Sequence, residues 1–184
     1  MALKKTSKEE ILKNSIKLFK IKGYHNTSMS NIADNCGLIK GSLYHHFKSK
    51  DDIGLEALRY IHQYFEKNIF SVAYNKKLNS KEKITLFIKK TDEYFLKSKG
   101  GCLLGNLALE TSSSNKMFRD EILAYFNAWE NALVAILEIE YDDETSLSFA
   151  QECVALTQGS IMMMNLTGKS ENYLKIGKKL IKLF

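Results

Sequence analysis

Apolar residues recur along this chain at the three-to-four-residue spacing of amphipathic helices, interrupted by short polar or glycine-containing breaks. Ser7 followed by Glu10 has the form of a capping box. Ile11, Ile16, Leu18, Phe19 and Ile21 then fall on one side, opposite Lys13, Lys17 and Lys20, which predicts a first helix ending at Gly23. Thr27-Ser28 caps a short second helix to about Asn35, with Ile32, Ala33 and Cys36 as its small or apolar contacts and Gly37 as its stop. A third short helix is expected from about Ile39 to His46. Ser49 caps a fourth, with Asp51 and Asp52 in the turn where the helix dipole favours acids. Its apolar face continues through Leu55, Leu58, Ile61, Phe65 and Ile69 to about Tyr74. Further helical runs are expected near 80–98, 102–111, 115–140, 143–167 and 170–183. No linker separates the first helices from the rest, because the fourth helix joins them directly.

Composition sharpens this into a fold class. The 184 residues contain no proline, where average usage would give about nine, and only three valines. Straight-chain residues favour helices and β-branched ones favour strands, so the chain is expected to be all-α, with about nine helices by the periodicity. Hydrophobic residues at 45% and charged residues at 26% describe a globular chain rather than a disordered one. No apolar run is long enough to span a membrane. The first residues run into Lys8-Glu9-Glu10 without the apolar core of a signal peptide, so a cytoplasmic location is expected. Cys36, Cys102 and Cys153 are odd in number and widely spaced, which suits neither a disulfide framework nor a zinc site. His45 and His46 are adjacent and point about 100° apart on a helix, so they are no chelating pair. Neither a metal nor a cofactor is called for.

Charge is unevenly placed. Residues 1–50 carry ten lysines against three acids, a net +7, while residues 51–184 carry 17 basic and 18 acidic residues. A basic segment with helical patterning suits a phosphate-bearing partner, although a solvated lysine-rich helix face gives the same excess. The run Asn31-Ile32-Ala33-Asp34-Asn35-Cys36-Gly37-Leu38-Ile39-Lys40-Gly41-Ser42-Leu43 decides between them. Ala33 is small where two helices cross, Gly37 can take the positive φ of a tight turn, and Leu43 returns to the core. This is helix-turn-helix spacing, which puts a second helix into the DNA major groove.

The segment from Gly23-Tyr24 through Thr27-Ser28, Ile32-Ala33 and Gly37 to Lys40-Gly41-Ser42-Leu43-Tyr44-His45-His46-Phe47-Lys48-Ser49-Lys50-Asp51 resembles the N-terminal signature of the TetR/AcrR transcriptional regulators. That resemblance implies an N-terminal three-helix helix-turn-helix DNA-binding domain over 1–50. It implies an effector-binding and dimerisation helical bundle over 51–184. Thr27 and Ser28, at a helix N-terminus, suit a phosphate. Lys40 opens the reading helix, and Gly41, costly inside a helix by about 1 kcal/mol, permits close approach to the duplex. Ser42 and His45 face the groove as base readers. Tyr44 and His46 match family positions that touch the DNA backbone, and Lys50 matches a phosphate-contacting lysine. Leu43 and Phe47 are expected in the core.

In the second domain, Gly100-Gly101-Cys102-Leu103 resembles a segment of a TetR subgroup in which some members sense electrophiles through that cysteine. Cys102, Asn106 and Glu110 fall at i, i+4 and i+8. A thiol at a helix start is stabilised as thiolate, so Cys102 is expected to be alkylated before Cys36 and Cys153. The lysine that can partner such a cysteine is missing, and Asn165 stands where it would align. A buried packing cysteine fits the same residues. Effector-pocket candidates are Phe87, Tyr94, Cys102, Asn106, Tyr125, Phe126, Trp129, Gln158 and Met162. The periodic positions Leu147, Ala150, Val154, Thr157 and Ile161, with Tyr173, Ile176 and Leu180, are candidates for a four-helix dimer interface; ordinary intramolecular packing is the alternative.

No Gly-x-Ser-x-Gly, Walker loop, His-Glu-x-x-His or dinucleotide fingerprint is present, which argues against an enzyme. A helical small-molecule carrier would leave the basic N-terminus unexplained. The sequence therefore points to a repressor that binds a palindromic double-stranded operator as a homodimer and answers to a small-molecule effector.

Overall fold

The computed structural model describes residues 6–184, and among these every regular element is helical. Nine α-helices follow in order: α1 (Lys8–Lys22), α2 (Met29–Asn35), α3 (Lys40–His46), α4 (Lys50–Asn68), α5 (Ser80–Leu96), α6 (Leu103–Thr111), α7 (Lys116–Leu137), α8 (Asp143–Thr167) and α9 (Glu171–Ile181). The starts are chemically marked. Ser7 and Glu10 exchange hydrogen bonds across the first turn of α1, with Glu10 N–H donating to Ser7 Oγ at 3.1 Å. Ser28 with Asn31, and Asn79 with Glu82, do the same for α2 and α5.

Two expectations change. The fourth helix stops at Asn68 and is followed by a 3-10 turn, Phe70–Tyr74, which buries Phe70, Val72 and Ala73. At 19 residues α4 is about 28 Å long. On α1 the buried face is Ile11, Leu12, Ser15, Ile16, Phe19 and Lys20. Lys20 is thus enclosed (8% exposed) and Ile21 faces out (67%), the reverse of the expected faces. The i, i+4 rows 11–15–19 and 12–16–20 define the stripe, and Ile21 lies off both.

The helices form two compact units. The first comprises residues 6–61 with Leu103–Ile122, and the second comprises His62–Cys102 with Leu123–Phe184. This partition differs from a division after residue 50, because 51–61, α6 and the start of α7 pack with the helix-turn-helix segment. The first core contains Ile11, Phe19, Tyr24, Ile32, Leu43, Phe47, Ile53, Leu58, Leu104, Leu107 and Phe118. Gly54 is required there, since a Cβ at that position would overlap the Phe118 ring. The second core is a cluster of rings: Phe95 stacks on Trp129 at 6.1 Å, Phe70 stacks on Phe87 at 6.1 Å, and Phe65 and Tyr125 meet edge-on at 5.3 Å.

Candidate nucleic-acid interface

The turn between α2 and α3 is built from backbone bonds. Leu38 N–H donates to Ala33 O at 2.9 Å and Gly37 N–H to Asp34 O at 3.1 Å, with Gly37 at φ 66°. That positive φ is the conformation glycine adopts without steric cost. Ile32, Ala33, Leu43 and Phe47 are buried, as the spacing requires, so α3 is anchored by one face. Its other face carries the expected readers. Lys40, Gly41, Tyr44, His45 and His46 are exposed, and Ser42 is half-buried. A Cβ at Gly41 would meet nothing within 4 Å, so no packing inside the chain demands a glycine there. The N-cap of the helix is Ile39, whose side chain makes no capping hydrogen bond.

Ser28 caps α2, as expected, while Thr27 turns inward. Thr27 is 1% exposed, and its hydroxyl donates to Gly23 O at 2.7 Å, which braces the α1–α2 connection. Ser28 is exposed, and its oxygen caps α2 by accepting from Asn31 N–H at 3.1 Å. Lys50 Nζ donates to Tyr24 O at 3.0 Å and lies 4.3 Å from the Tyr24 ring centroid. An ammonium has three donors, which leaves two for a phosphate.

Tyr24 organises this side of the unit. Its hydroxyl donates to Asp51 Oδ1, and burial with the adjacent Asp51 carboxylate pushes the phenol well above its ordinary range. Its backbone N–H donates to Glu110 Oε1 at 3.1 Å, and His25 N–H donates to Glu110 Oε2 at 3.1 Å. The His25 ring Nε2 also lies 3.0 Å from Glu110 O. Glu110 therefore serves the α1–α2 connection, a role that no spacing could reveal across 85 residues of sequence.

Ion pairs select which lysines are available. Lys8 pairs with Glu56 at 3.2 Å and Lys13 with Glu9 at 2.7 Å, whereas Lys40 and Lys48 are exposed and have no ion pair among the described residues. Lys4 and Lys5, part of the N-terminal charge excess, lie outside the described residues.

In the second unit, Phe87, Tyr125 and Trp129 belong to the ring cluster. Phe126 meets Tyr125 edge-on at 5.2 Å, and half-buried Tyr94 meets Phe65 at 4.7 Å. Tyr125 is fully enclosed and its hydroxyl has no hydrogen-bond partner among the described residues; burial holds this phenol well above its ordinary range. The Gln158 side-chain nitrogen is likewise buried without a partner. Tyr94 also lines an open cleft of about 430 Å³ with Tyr64, Asn68, Ile69, Lys90 and Lys97. Met162 is 58% exposed and stands outside the ring cluster. Asn106 is half-buried, and Cys102 is 4% exposed.

The dimer-face candidates lie mostly inside the chain. Ala150, Val154, Thr157, Ile161, Tyr173 and Leu180 are buried within the one chain, and Ile176 is half-buried, so this stripe is intramolecular packing between α8 and its neighbours. Of the set, only Leu147 is exposed. The free apolar side of α8 carries Leu156, Met162, Met163 and Leu166 instead.

Among the described residues no group of three or more His, Cys, Asp or Glu could hold a metal ion, and no helix is long and apolar enough to cross a membrane.

Residues 11–57 match the family described as bacterial regulatory proteins, tetR family, and residues 81–179 match the C-terminal domain of LmrA/YxaF-like transcriptional regulators. The HTH-type transcriptional regulator YxaF of Bacillus subtilis (strain 168) is 31% identical over 169 residues, covering 90% of this chain and 87% of that protein. The HTH-type transcriptional regulator LmrA of the same organism is 28% identical, covering 89% and 88%. A TetR transcriptional regulator from Legionella pneumophila superimposes over the whole of both chains with a TM-score of 0.88 at 24% identity, which speaks for the fold.

Proposed function

Because this chain belongs to the tetR family of bacterial regulatory proteins, and is therefore a DNA-binding transcriptional regulator, we propose that it represses transcription as a homodimer on a palindromic operator, reading sequence with α3. The observation that carries the assignment is α3 itself. One face is anchored by buried Leu43 and the other presents Lys40, Gly41, Tyr44, His45 and His46 to solvent. Lys40 and His45 read base edges in the major groove, Gly41 allows the backbone to approach, and Tyr44, His46 and the two remaining donors of Lys50 hold the DNA backbone. Relatives whose names call them repressors support the sign of regulation: DhaR, from a Mycobacterium strain, is 23% identical over 89% of this chain.

A second copy docks on the exposed side of α8. Leu156, Met163 and Leu166 follow one another at spacings of seven and three residues, which keeps them on one helix face. An effector enters the second unit at the cleft floored by Tyr94 and reaches toward the ring cluster, where the unpartnered Tyr125 hydroxyl supplies a hydrogen bond. Pockets of this size class take small organic molecules.

Selection of bound fragments from genomic DNA, followed by footprinting, tests the reading. The expected result is a two-fold symmetric protected site whose base preference changes in His45→Ala. Retardation abolished by non-specific competitor, or His45→Ala with unchanged preference, overturns α3 as the reader. Leu156→Glu is expected to convert a dimer to a monomer in sedimentation velocity; an unchanged dimer refutes the α8 face.

A further inference from the structure

Ile39 occupies the N-cap of α3, at φ −75° and ψ 148°, and its side chain is 70% exposed. Isoleucine is among the poorest residues at that position, because it offers no oxygen to the free N–H groups of the first turn. This chain supplies such an oxygen at six other α-helices, though not at α9. Ser7, Ser28, Asn79 and Asp142 cap α1, α2, α5 and α8. Ser49 Oγ and Asn115 Oδ1 accept from the first turns of α4 and α7. At α3 the opening amides receive no side-chain oxygen, and a branched apolar side chain stands in water instead. Packing within the chain gives no reason for it.

The reason lies on the surface that Ile39 shares. Lys40 follows it directly, Gly41 leaves open space beside it, and His45 is exposed further along the same short helix. Lysine and histidine meet the acceptors of base edges. The one apolar feature of the major-groove edge is the 5-methyl group of thymine, which aliphatic side chains contact. We propose that Ile39 is a specificity-determining residue that packs against a thymine 5-methyl group in each half of the operator. The inference rests on α3 being the reading helix. Within that reading it gives base choice at one position to an apolar contact, next to the hydrogen bonds of Lys40 and His45. Isoleucine at the cap then trades helix stability for recognition.

Deoxyuridine differs from thymidine only by that methyl group, so the experiment can be made on the DNA and leave the protein intact. An operator is selected with the full-length chain from a random DNA pool. Each thymine is then replaced singly by deoxyuridine, and affinity is read by fluorescence anisotropy at one salt concentration. One symmetry-related thymine per half-site is expected to be sensitive. Its replacement should weaken binding about fourfold, the factor that one buried methyl group contributes, and replacement in both halves about fifteenfold. Ile39→Ala should bind thymine and deoxyuridine operators alike, while His45→Ala should alter preference elsewhere and keep the deoxyuridine effect. Absence of any sensitive thymine, or equal sensitivity in Ile39→Ala, overturns the proposal. If Lys40→Ala, His45→Ala and Ile39→Ala all leave sequence preference unchanged, α3 is not the reader and the inference falls with that assignment.

Discussion

Replacing Glu110 with alanine removes the acceptor for two backbone amides at once. Tyr24 N–H and His25 N–H each donate to this carboxylate at 3.1 Å. A hydrogen bond to a charged group contributes about 1.5–3 kcal/mol. The His25 amide is exposed, so water replaces much of its bond, and about 0.5 kcal/mol is a fair share. The Tyr24 amide is partly buried and loses about 1.5 kcal/mol. The total is about 2 kcal/mol, which in a chain of this length lowers the melting temperature by about 4–8 °C. Circular dichroism at the helical band reads the melt. Amide exchange reads the cause, because the Tyr24 amide should exchange about tenfold faster, as 1.4 kcal/mol is a factor of ten. Glu110→Gln keeps one carbonyl oxygen and should recover about half of the loss. A Glu110→Ala melt within 1 °C of wild type (about the noise of such a scan), with Tyr24 exchange unchanged, would show that the carboxylate does not hold the α1–α2 connection.

Three further outcomes are expected. Lys50→Ala should weaken binding to all DNA sequences about equally and lower the slope of log affinity against log salt by about one, as for loss of a single phosphate contact; a changed preference with an unchanged slope contradicts that role. Asp92 is half-buried and burial raises its carboxyl pKa above the usual 3.8. The folded state therefore binds that proton more tightly than the unfolded one, so the charged form costs stability, and the cost grows as pH rises from about 3.8 through the raised value and stays above it. Asp92→Asn should melt higher than wild type at pH 7.5, with the difference shrinking toward pH 4; a constant difference contradicts the linkage. Among the thiols, Cys36 is half-buried, while Cys102 and Cys153 are enclosed and burial pushes Cys153 up to about 12. A bulky disulfide reagent at pH 8 should label Cys36 first, and mass spectrometry showing Cys102 first would mean that thiolate activation at the α6 start outweighs enclosure.

Much of the architecture was legible because the relevant signals are local. The capping pair of Ser7 and Glu10, the Gly37 turn and the return of Leu43 depend on residues within ten positions of one another, and the structure has all three. Faces were less legible than elements. Ile21 and Lys20 exchanged places because hydrophobicity and helical phase disagree there, and packing followed phase. The end of α4 was overrun because Ile69, Phe70 and Val72 continue an apolar run that the 3-10 turn also buries. In α8 the periodic stripe is real, but periodicity does not say whether a helix covers it from the same chain or another. The same limit hid the role of Thr27, whose hydroxyl is consumed by Gly23 O four residues away.

The residues that organise the DNA-binding unit were invisible for a different reason: their partners are distant. Tyr24 reads as one aromatic in a motif, yet each of its polar groups is bound to a different side chain. Its N–H goes to Glu110, its carbonyl takes Lys50 Nζ, and its hydroxyl goes to Asp51. A phosphate-facing lysine held by a backbone carbonyl is only as well positioned as that carbonyl, and Tyr24 is fixed from α6 as well as from α4. The three bonds act on one residue, so their energies should not be independent. This explains why α6 packs with the helix-turn-helix segment and is not merely the next helix along the chain. It supplies the carboxylate that orients the connection from which Lys50 takes its position.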